Sequence, residues 1–242
     1  MKISFCTTCM DRLYHLKETY LANLHNCKSY PDAEFVLVDY GGRDGVSEWV
    51  EGNLGEFLDS GRLKFMRADE PRYWVAAHAK NIAHRAATGD ILCNLDADVT
   101  LPNGFCGYVR RSFLGDRIVM SFRSEDADGN NGCAGFVAAT REDFYSVNGY
   151  DESINLGWGY DDLNYQFRVR MHNNLKLFTP PPLISCLLHS NEVRTANCQL
   201  KDIGETMQLS KNICEDVAAS KDYVANKGVE WGQARISRVL PA

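Results

Sequence analysis

Apolar residues in this chain follow two rhythms: short unbroken runs, and longer stretches with an apolar residue every three or four positions. Unbroken runs bounded by turn residues suit strands, and the wider spacing suits helices with one buried stripe. Residues 3–6 read as a first strand. Thr8 followed three residues later by Asp11 is a helix-start signal, and Leu13, Leu16, Tyr20, Leu21 and Leu24 then recur at helical spacing. Phe35-Val36-Leu37-Val38 reads as a second strand, closed by Asp39 and the Gly41-Gly42 turn. A helix is predicted over residues 47–58 and a short third strand over 63–66. Val75, Ala79, Ile82, Ala83 and Ala86 then form the stripe of another helix, with His78, Asn81 and Arg85 off it.

That helix leads into the run from Ile91 to Leu95, entered through the turn signal Thr88-Gly89-Asp90. The run ends in two carboxylates two residues apart. If the backbone stays extended there, Asp96 and Asp98 point to the same side. Carboxylates at a strand end suit a divalent cation such as Mn²⁺ or Mg²⁺; a solvated loop is the plainer alternative. Alternating strands and helices imply a mostly parallel α/β sheet. Ligands of such sheets bind beyond the carboxyl ends of the strands, which is where Thr7, Asp39, Asp96 and Asp98 fall.

The second half has strand-like runs at 118–122, 133–139, 175–178 and 184–188. Asp126 to Gly132 resembles a calcium loop but departs from the EF-hand pattern at Asn131 and Val137, so it reads as a polar turn. Gly157-Trp158-Gly159-Tyr160-Asp161-Asp162 places acids at the start of a helix running to Met171, where negative charge is favoured. Leu163, Phe167 and Met171 are the expected buried row. Trp158 beside the acids offers a flat surface of the kind carbohydrates stack on; a packed tryptophan at a capped helix is the alternative. The strand at 184–188 ends at His189, a position where a histidine is more often structural than a ligand. Residues 199–219 suit a surface helix.

The 242 residues suffice for one large core. A net charge of −6 argues against a nucleic-acid partner held on a basic face. No apolar run is long enough to span a bilayer, and residues 1–5 are too short for a signal peptide. Peripheral attachment to a membrane stays compatible with the sequence. Nine cysteines without an export signal suit reduced thiols in a cytoplasmic protein. Cys6-x-x-Cys9 lacks a matching second pair for zinc and reads as two incidental thiols rather than a redox pair.

Ala79-Lys80-Asn81-Ile82-Ala83, Gly89-Asp90, and Asn94-Leu95-Asp96-Ala97-Asp98 with Pro102 beyond it resemble family 2 glycosyltransferases of the GT-A fold. Gly157-Trp158-Gly159-Tyr160-Asp161-Asp162 and His189-Ser190 resemble the galactosyltransferase-type C-terminal segment, whose motif is Gly-Trp-Gly-Gly-Glu-Asp. Tyr160 replaces the second glycine and Asp161 the glutamate. The resemblance implies a single domain with a nucleotide-sugar half at 1–100, an acceptor and catalytic half at 101–198, and a helix and tail at 199–242. It implies transfer from a nucleoside-diphosphate sugar, UDP-linked for preference, to a carbohydrate or glycoconjugate hydroxyl, with inversion. Asp98 and His189 would hold Mn²⁺ or Mg²⁺, with Asp96 facing the metal or the ribose. Thr7 and Asp39 would flank the nucleoside, with Asn81 as a further donor-site residue. Asp162 would be the base, Asp161 its partner, and Trp158 a stacking surface. A sugar nucleotidyltransferase would be expected to carry a glycine-rich loop after the first strand, where Thr7 to Arg12 holds no glycine. A non-catalytic sugar-binding protein on the same fold is the other alternative.

Overall fold

The computed structural model describes residues 1–69, 71–122 and 133–241. In its first half strands and helices alternate: β1 (Ile3–Cys9), α1 (Leu13–Asn26), β2 (Ala33–Tyr40), α2 (Val46–Asn53), α3 (Gly55–Asp59), β3 (Leu63–Ala68), α4 (Ala76–Ala86) and β4 (Ile91–Asn94). β1 pairs in parallel with β2 on one side and β4 on the other, and β2 pairs in parallel with β3. Helical crossovers demand that parallel arrangement. The second half adds β5 (Val99–Thr100), α5 (Phe105–Gly115), β6 (Ile118–Ser121), β7 (Val137–Thr140) and α6 (Arg141–Ser146). It continues with α7 (Asp161–Asn173), β8 (Lys176–Phe178), β9 (Ser185–Cys186), α8 (Asn191–Thr195), α9 (Ile203–Ser220) and β10 (Ile236–Leu240). The main sheet has the order β10-β3-β2-β1-β4-β7-β6-β8, with β7 and β10 antiparallel to their neighbours. β5 and β9 form a separate ribbon.

Both faces of the sheet are covered, which is why its strands are continuous apolar runs rather than alternating ones. Phe5, Phe35 and Phe65 pack toward α1, α2, α3 and α5. Val36, Val38 and Val137 pack toward α4, α6 and α7, against Ile82, Phe144 and Val169. Cys6 and Cys9 fall in opposite core layers, three positions apart on a strand of period two. None of the nine cysteines forms a disulfide. Among the described residues no helix is long and apolar enough to cross a membrane.

Several expected elements shift. Thr8 belongs to β1, opposite Val38, so it caps nothing; α1 begins at Leu13, whose N–H donates to the Asp44 side chain at 2.6 Å. The helix expected over 47–58 breaks at Leu54, between Gly52-Asn53 and Gly55, three residues that propagate helix poorly. The strand expected through Leu95 ends at Asn94, and the one at 133–139 starts only at Val137. The run at 184–188 contributes only Ser185 and Cys186 to a strand. The expected buried row of α7 is wrong. Leu163 and Met171 are exposed, and the buried face carries Asn164, Tyr165, Arg168 and Val169. Arg168 is fully buried because it donates to the Val147 and Gly149 carbonyls at 3.1 and 2.7 Å and to Asn164 at 2.7 Å. A fork of donors satisfied on every arm can be buried where an isolated charge cannot. The turn at 126–132 lies outside the described residues.

Candidate active site

The site is built around the turn that follows β4. Leu95 N–H still bonds to Cys6 O at 2.9 Å, continuing the parallel ladder, and the chain then folds over so that Val99 N–H meets Asp96 O at 3.1 Å. Asp96 and Asp98 therefore sit on a turn, not on the extended strand that their spacing suggests. The buried polar row of α1 latches this turn through its backbone. Thr19 donates to Ala97 O at 2.6 Å. Asn23 donates to Val99 O and accepts from Leu101 N–H, both at 2.8 Å. Backbone groups beneath a sheet edge need such partners, and the carboxylates above are held in place as a result.

Asp98 Oδ2 lies 2.8 Å from His189 Nε2. Burial alone would raise the Asp98 carboxyl; the His189 hydrogen bond and the pull of His189 and His15 outweigh it and hold Asp98 below its usual value. Adjacent ligands of an octahedral ion with bonds of about 2.1 Å lie about 3 Å apart, so this pair is spaced as two neighbouring ligands. His189 Nδ1 is buried without a partner. Among the described residues no three His, Cys, Asp or Glu side chains gather closely enough to hold an ion unaided. Two protein ligands plus substrate phosphate and water is the usual arrangement for Mg²⁺-type sites. The Asp98–His189 pair therefore fits two neighbouring positions of a divalent ion whose remaining positions are filled from outside the protein. Asp96 takes no direct part in the pair. Asn94 donates to its Oδ1 at 2.8 Å, and burial pushes its carboxyl up.

The second cluster sits at the N-terminus of α7. Tyr160, the residue before the helix, has φ of +64°, the left-handed region that favours glycine. The backbone thus keeps a glycine-like conformation although a tyrosine stands there. Lys80, from α4, donates to Asp161 Oδ2 at 2.6 Å and to both Asp162 oxygens at 2.7 and 2.8 Å. Burial, then the charge of Asp161, pushes the Asp162 carboxyl well above its usual range, with Lys80 opposing both. Burial also acts against the Lys80 ammonium, but Asp161, Asp162 and Asp96 outweigh it and keep it charged. The Arg194 guanidinium lies over the Trp158 ring, 4.8 Å from its centre. One face of that ring is therefore already taken by a cation.

One cleft of about 630 Å³ joins the two clusters, lined by Asp96, Asp98, Trp158, Asp161, Asp162 and His189. Three expected residues are not on its wall. Thr7 is fully buried; Thr8, pointing the other way along the strand, lines the cleft instead. Asp39 is fully buried in an ion pair with Arg67, and burial pushes its carboxyl up to about 6. Asn81 is a correction to the helical reading that set it off the buried stripe. It is fully buried, donating to Tyr150 O and Glu152 Oε1 at 2.9 and 2.8 Å and accepting from Tyr150 N–H at 2.7 Å. Its amide ties α4 to the loop before α7. The cleft also contains Arg12, His15, Lys80 and Arg194, which sequence reasoning did not pick out. Burial pushes the His15 imidazole down to about 4. Lys80 carried one signal: it lies among Ala76, Ala77, Ala79 and Ala83, which places its ammonium on the buried side of α4.

Residues 4–132, more than half of the chain, match the sequence profile of glycosyl transferase family 2. The chain belongs to glycosyl transferase family 2. In this family 2 chain, residues 118–192 also match a profile described as the N-terminal domain of galactosyltransferase. The first match carries Lys80, Asp96 and Asp98; the second carries Asp161, Asp162 and His189. No curated protein sequence matches the chain. Solved structures do. A mannosyltransferase of Pyrobaculum calidifontis, in complex with GDP-Man and Mn²⁺, superposes with a TM-score of 0.62 at 20% identity, over 75% of this chain and 55% of its own. Residues 1–349 of TarS from S. aureus, in complex with UDP-GlcNAc, give a TM-score of 0.64 at 13% identity, over 87% of this chain and 65% of that one. At these identities the likeness shows the fold, which is GT-A. The chain spans just over half to about two thirds of the length of these relatives.

Proposed function

We propose that this chain is a metal-assisted glycosyltransferase that moves a sugar from a nucleoside-diphosphate sugar to a hydroxyl of a carbohydrate or glycoconjugate. The observation that carries the reading is the single cleft that joins the Asp98–His189 pair to the Asp161–Asp162 pair at the C-terminal edge of the sheet. Family membership supports sugar transfer as the reaction. One neighbour binds GDP-Man and the other UDP-GlcNAc, and the galactosyltransferase match makes a UDP-sugar the first donor to test.

The leaving group is a diphosphate carrying several negative charges. Mn²⁺ or Mg²⁺ held by Asp98 and His189 would supply positive charge beside it. Arg12, whose guanidinium lies 3.5 Å from His189, adds a fixed cation on the same wall. Asp162 takes the proton of the acceptor hydroxyl as its oxygen bonds to the anomeric carbon and the carbon–diphosphate bond breaks. A single displacement of this kind inverts the anomeric centre. Asp161 orients the acceptor. Trp158, backed by Arg194, offers its remaining face to a sugar ring. Thr7, Asp39 and Asn81 stand behind the cleft wall rather than on it: Asp39 is held by Arg67, and Asn81 braces the loop before α7. Nine cysteines free of disulfides suit a reducing cytosol as the site of action.

The test has two arms. Nucleotide release from a panel of UDP- and GDP-sugars should require Mn²⁺ or Mg²⁺ and should fall about 10²–10⁴-fold in Asp162→Asn. Asp161→Asn should mainly raise the acceptor KM. UDP titrated by calorimetry should bind more tightly with Mn²⁺ than without, and His189→Ala should abolish that difference while leaving the metal-free melting temperature unchanged. Equal UDP affinity with and without metal, or turnover by Asp162→Asn within a few-fold of the parent, overturns the reading.

A further inference from the structure

Lys80 stands on α4 with a side chain that is 5% exposed, and it crosses to the first turn of α7. An ammonium has three donors. All three contacts it makes go to the acid pair: one to Asp161 and two to Asp162, at 2.6, 2.7 and 2.8 Å. Its other face rests on the Tyr150 ring, 5.4 Å from the centre. Lys80 is also among the residues that line the cleft. A buried ion cluster of this kind is weak support for stability, because desolvation offsets the Coulombic gain. Its position in the cleft suits it to another task.

We propose that Lys80 is a positioning residue: its ammonium clamps Asp162 from the side away from the acceptor, so that the carboxylate is held in one orientation and kept available to receive a proton. The proposal rests on Asp162 being the base, and it adds the group that holds that base. The charged and titratable groups facing Asp162 are Asp161 on α7, Lys80 on α4, Asp96 on the β4–β5 turn and the Tyr150 phenol. Asp161 and Asp96 repel a second negative charge, and Lys80 is the cation in hydrogen-bond contact that offsets them. Without the ammonium, Asp162 would hold its proton and rotate freely. Asp161 shares the clamp through a single bond, so the two acids move together, which explains why a base and an acceptor-orienting residue stand side by side on one helix turn.

The experiment uses the whole chain with four variants: Lys80→Met, which keeps length without charge, Lys80→Gln, Lys80→Arg and Asp162→Asn. Carbon-13 spectra of aspartate-labelled protein follow the Asp162 carboxyl through a pH titration, with its signal assigned by its loss in Asp162→Asn. In Lys80→Met the midpoint should rise by about one pH unit or more, equivalent to about 1.4 kcal/mol; in Lys80→Arg it should stay within a few tenths. With a donor from the panel above, kcat at neutral pH should fall at least tenfold in Lys80→Met with KM within about twofold, and recover in part as pH rises. Lys80→Arg should retain most of it. Lys80→Gln replaces the methionine variant if that one fails to fold. An unchanged Asp162 midpoint without the ammonium overturns the proposal. A parental kcat in Lys80→Met beside an inactive Asp162→Asn also overturns it and leaves the base in place. A parental kcat in Asp162→Asn removes the base and the proposal together.

Discussion

Gly135 shows how much a single residue decides in this site. A Cβ there would overlap the Asp96 carboxylate, while the Gly135 carbonyl accepts from Asn94 Nδ2 at 2.8 Å. Asn94 spends its other contact on Asp96. Glycine is needed here for close approach, since its backbone is not in the left-handed region. In Gly135→Ala the carboxylate has to move, and Asn94 cannot hold both partners. Displacing a site group by about 1 Å can cost about 10²-fold in turnover. The expected result is a folded protein with turnover reduced on that scale, read from nucleotide release and far-ultraviolet circular dichroism together. Parental turnover would mean that Asp96 does not need its observed position. The carboxylates themselves are legible in the sequence because strand ends carry ligands in this class of sheet. Gly135 is not, because nothing local distinguishes it from an ordinary turn glycine.

At the scale of an element, α4 combines two kinds of burial. Its small residues pack on the sheet, and two polar side chains cross to other elements: Lys80 to α7 and Asn81 to the loop before it. His84, one turn beyond Lys80, is 1% exposed; its Nδ1 lies 2.7 Å from Lys80 O and its ring stacks on Phe144. Burial pushes the His84 imidazole down from its usual 6.5 to about 4. The folded protein therefore takes up this proton later than the unfolded chain does. Stability from this group is full above pH 6.5 and is lost as pH falls toward 4. Between pH 7 and pH 5 the loss amounts to about 2 kcal/mol. Denaturant titrations at the two values should show it in the parent, and His84→Phe should lack most of it. An equal acid loss in both proteins would assign the effect to other groups. The helix was legible from its alanine spacing. Its polar crossings were not, since period alone cannot say which neighbour will meet a buried side chain.

At the scale of the molecule, the chain after α9 closes the fold. Asn226 donates to Asn148 O and Tyr150 O at 2.8 and 2.7 Å, and Gly232 N–H donates to Glu152 Oε1 at 2.7 Å. Trp231 packs on Phe144 and lies under the Arg85 guanidinium. β10 then completes the sheet beyond β3. These contacts back the loop that leads into the acid pair. Removing residues 222–242 should lower the melting temperature by roughly 10–20 °C, corresponding to several kcal/mol in a chain of this size. It should also weaken nucleotide release more than the distance of the tail from the cleft suggests. A melting temperature within a few degrees of the parent would show the tail to be an appendage.

The sequence by itself determined the alternation of strands and helices, the parallel half of the sheet, the strand-end carboxylates and the start of α7 beneath its acids. Those features come from apolar spacing, turn residues and charge near a helix end, forces that act over a few residues. Only the tertiary structure decided which groups meet. Lys80 reaches Asp161 across 81 positions and His189 reaches Asp98 across 91. It also decided that α7 turns a polar face inward, because the carbonyls that satisfy Arg168 belong to the loop ahead of the helix and to Tyr223 beyond α9, not to the helix itself. Burial of a charge depends on partners that distant segments supply, and no periodicity along the chain encodes where those partners will be.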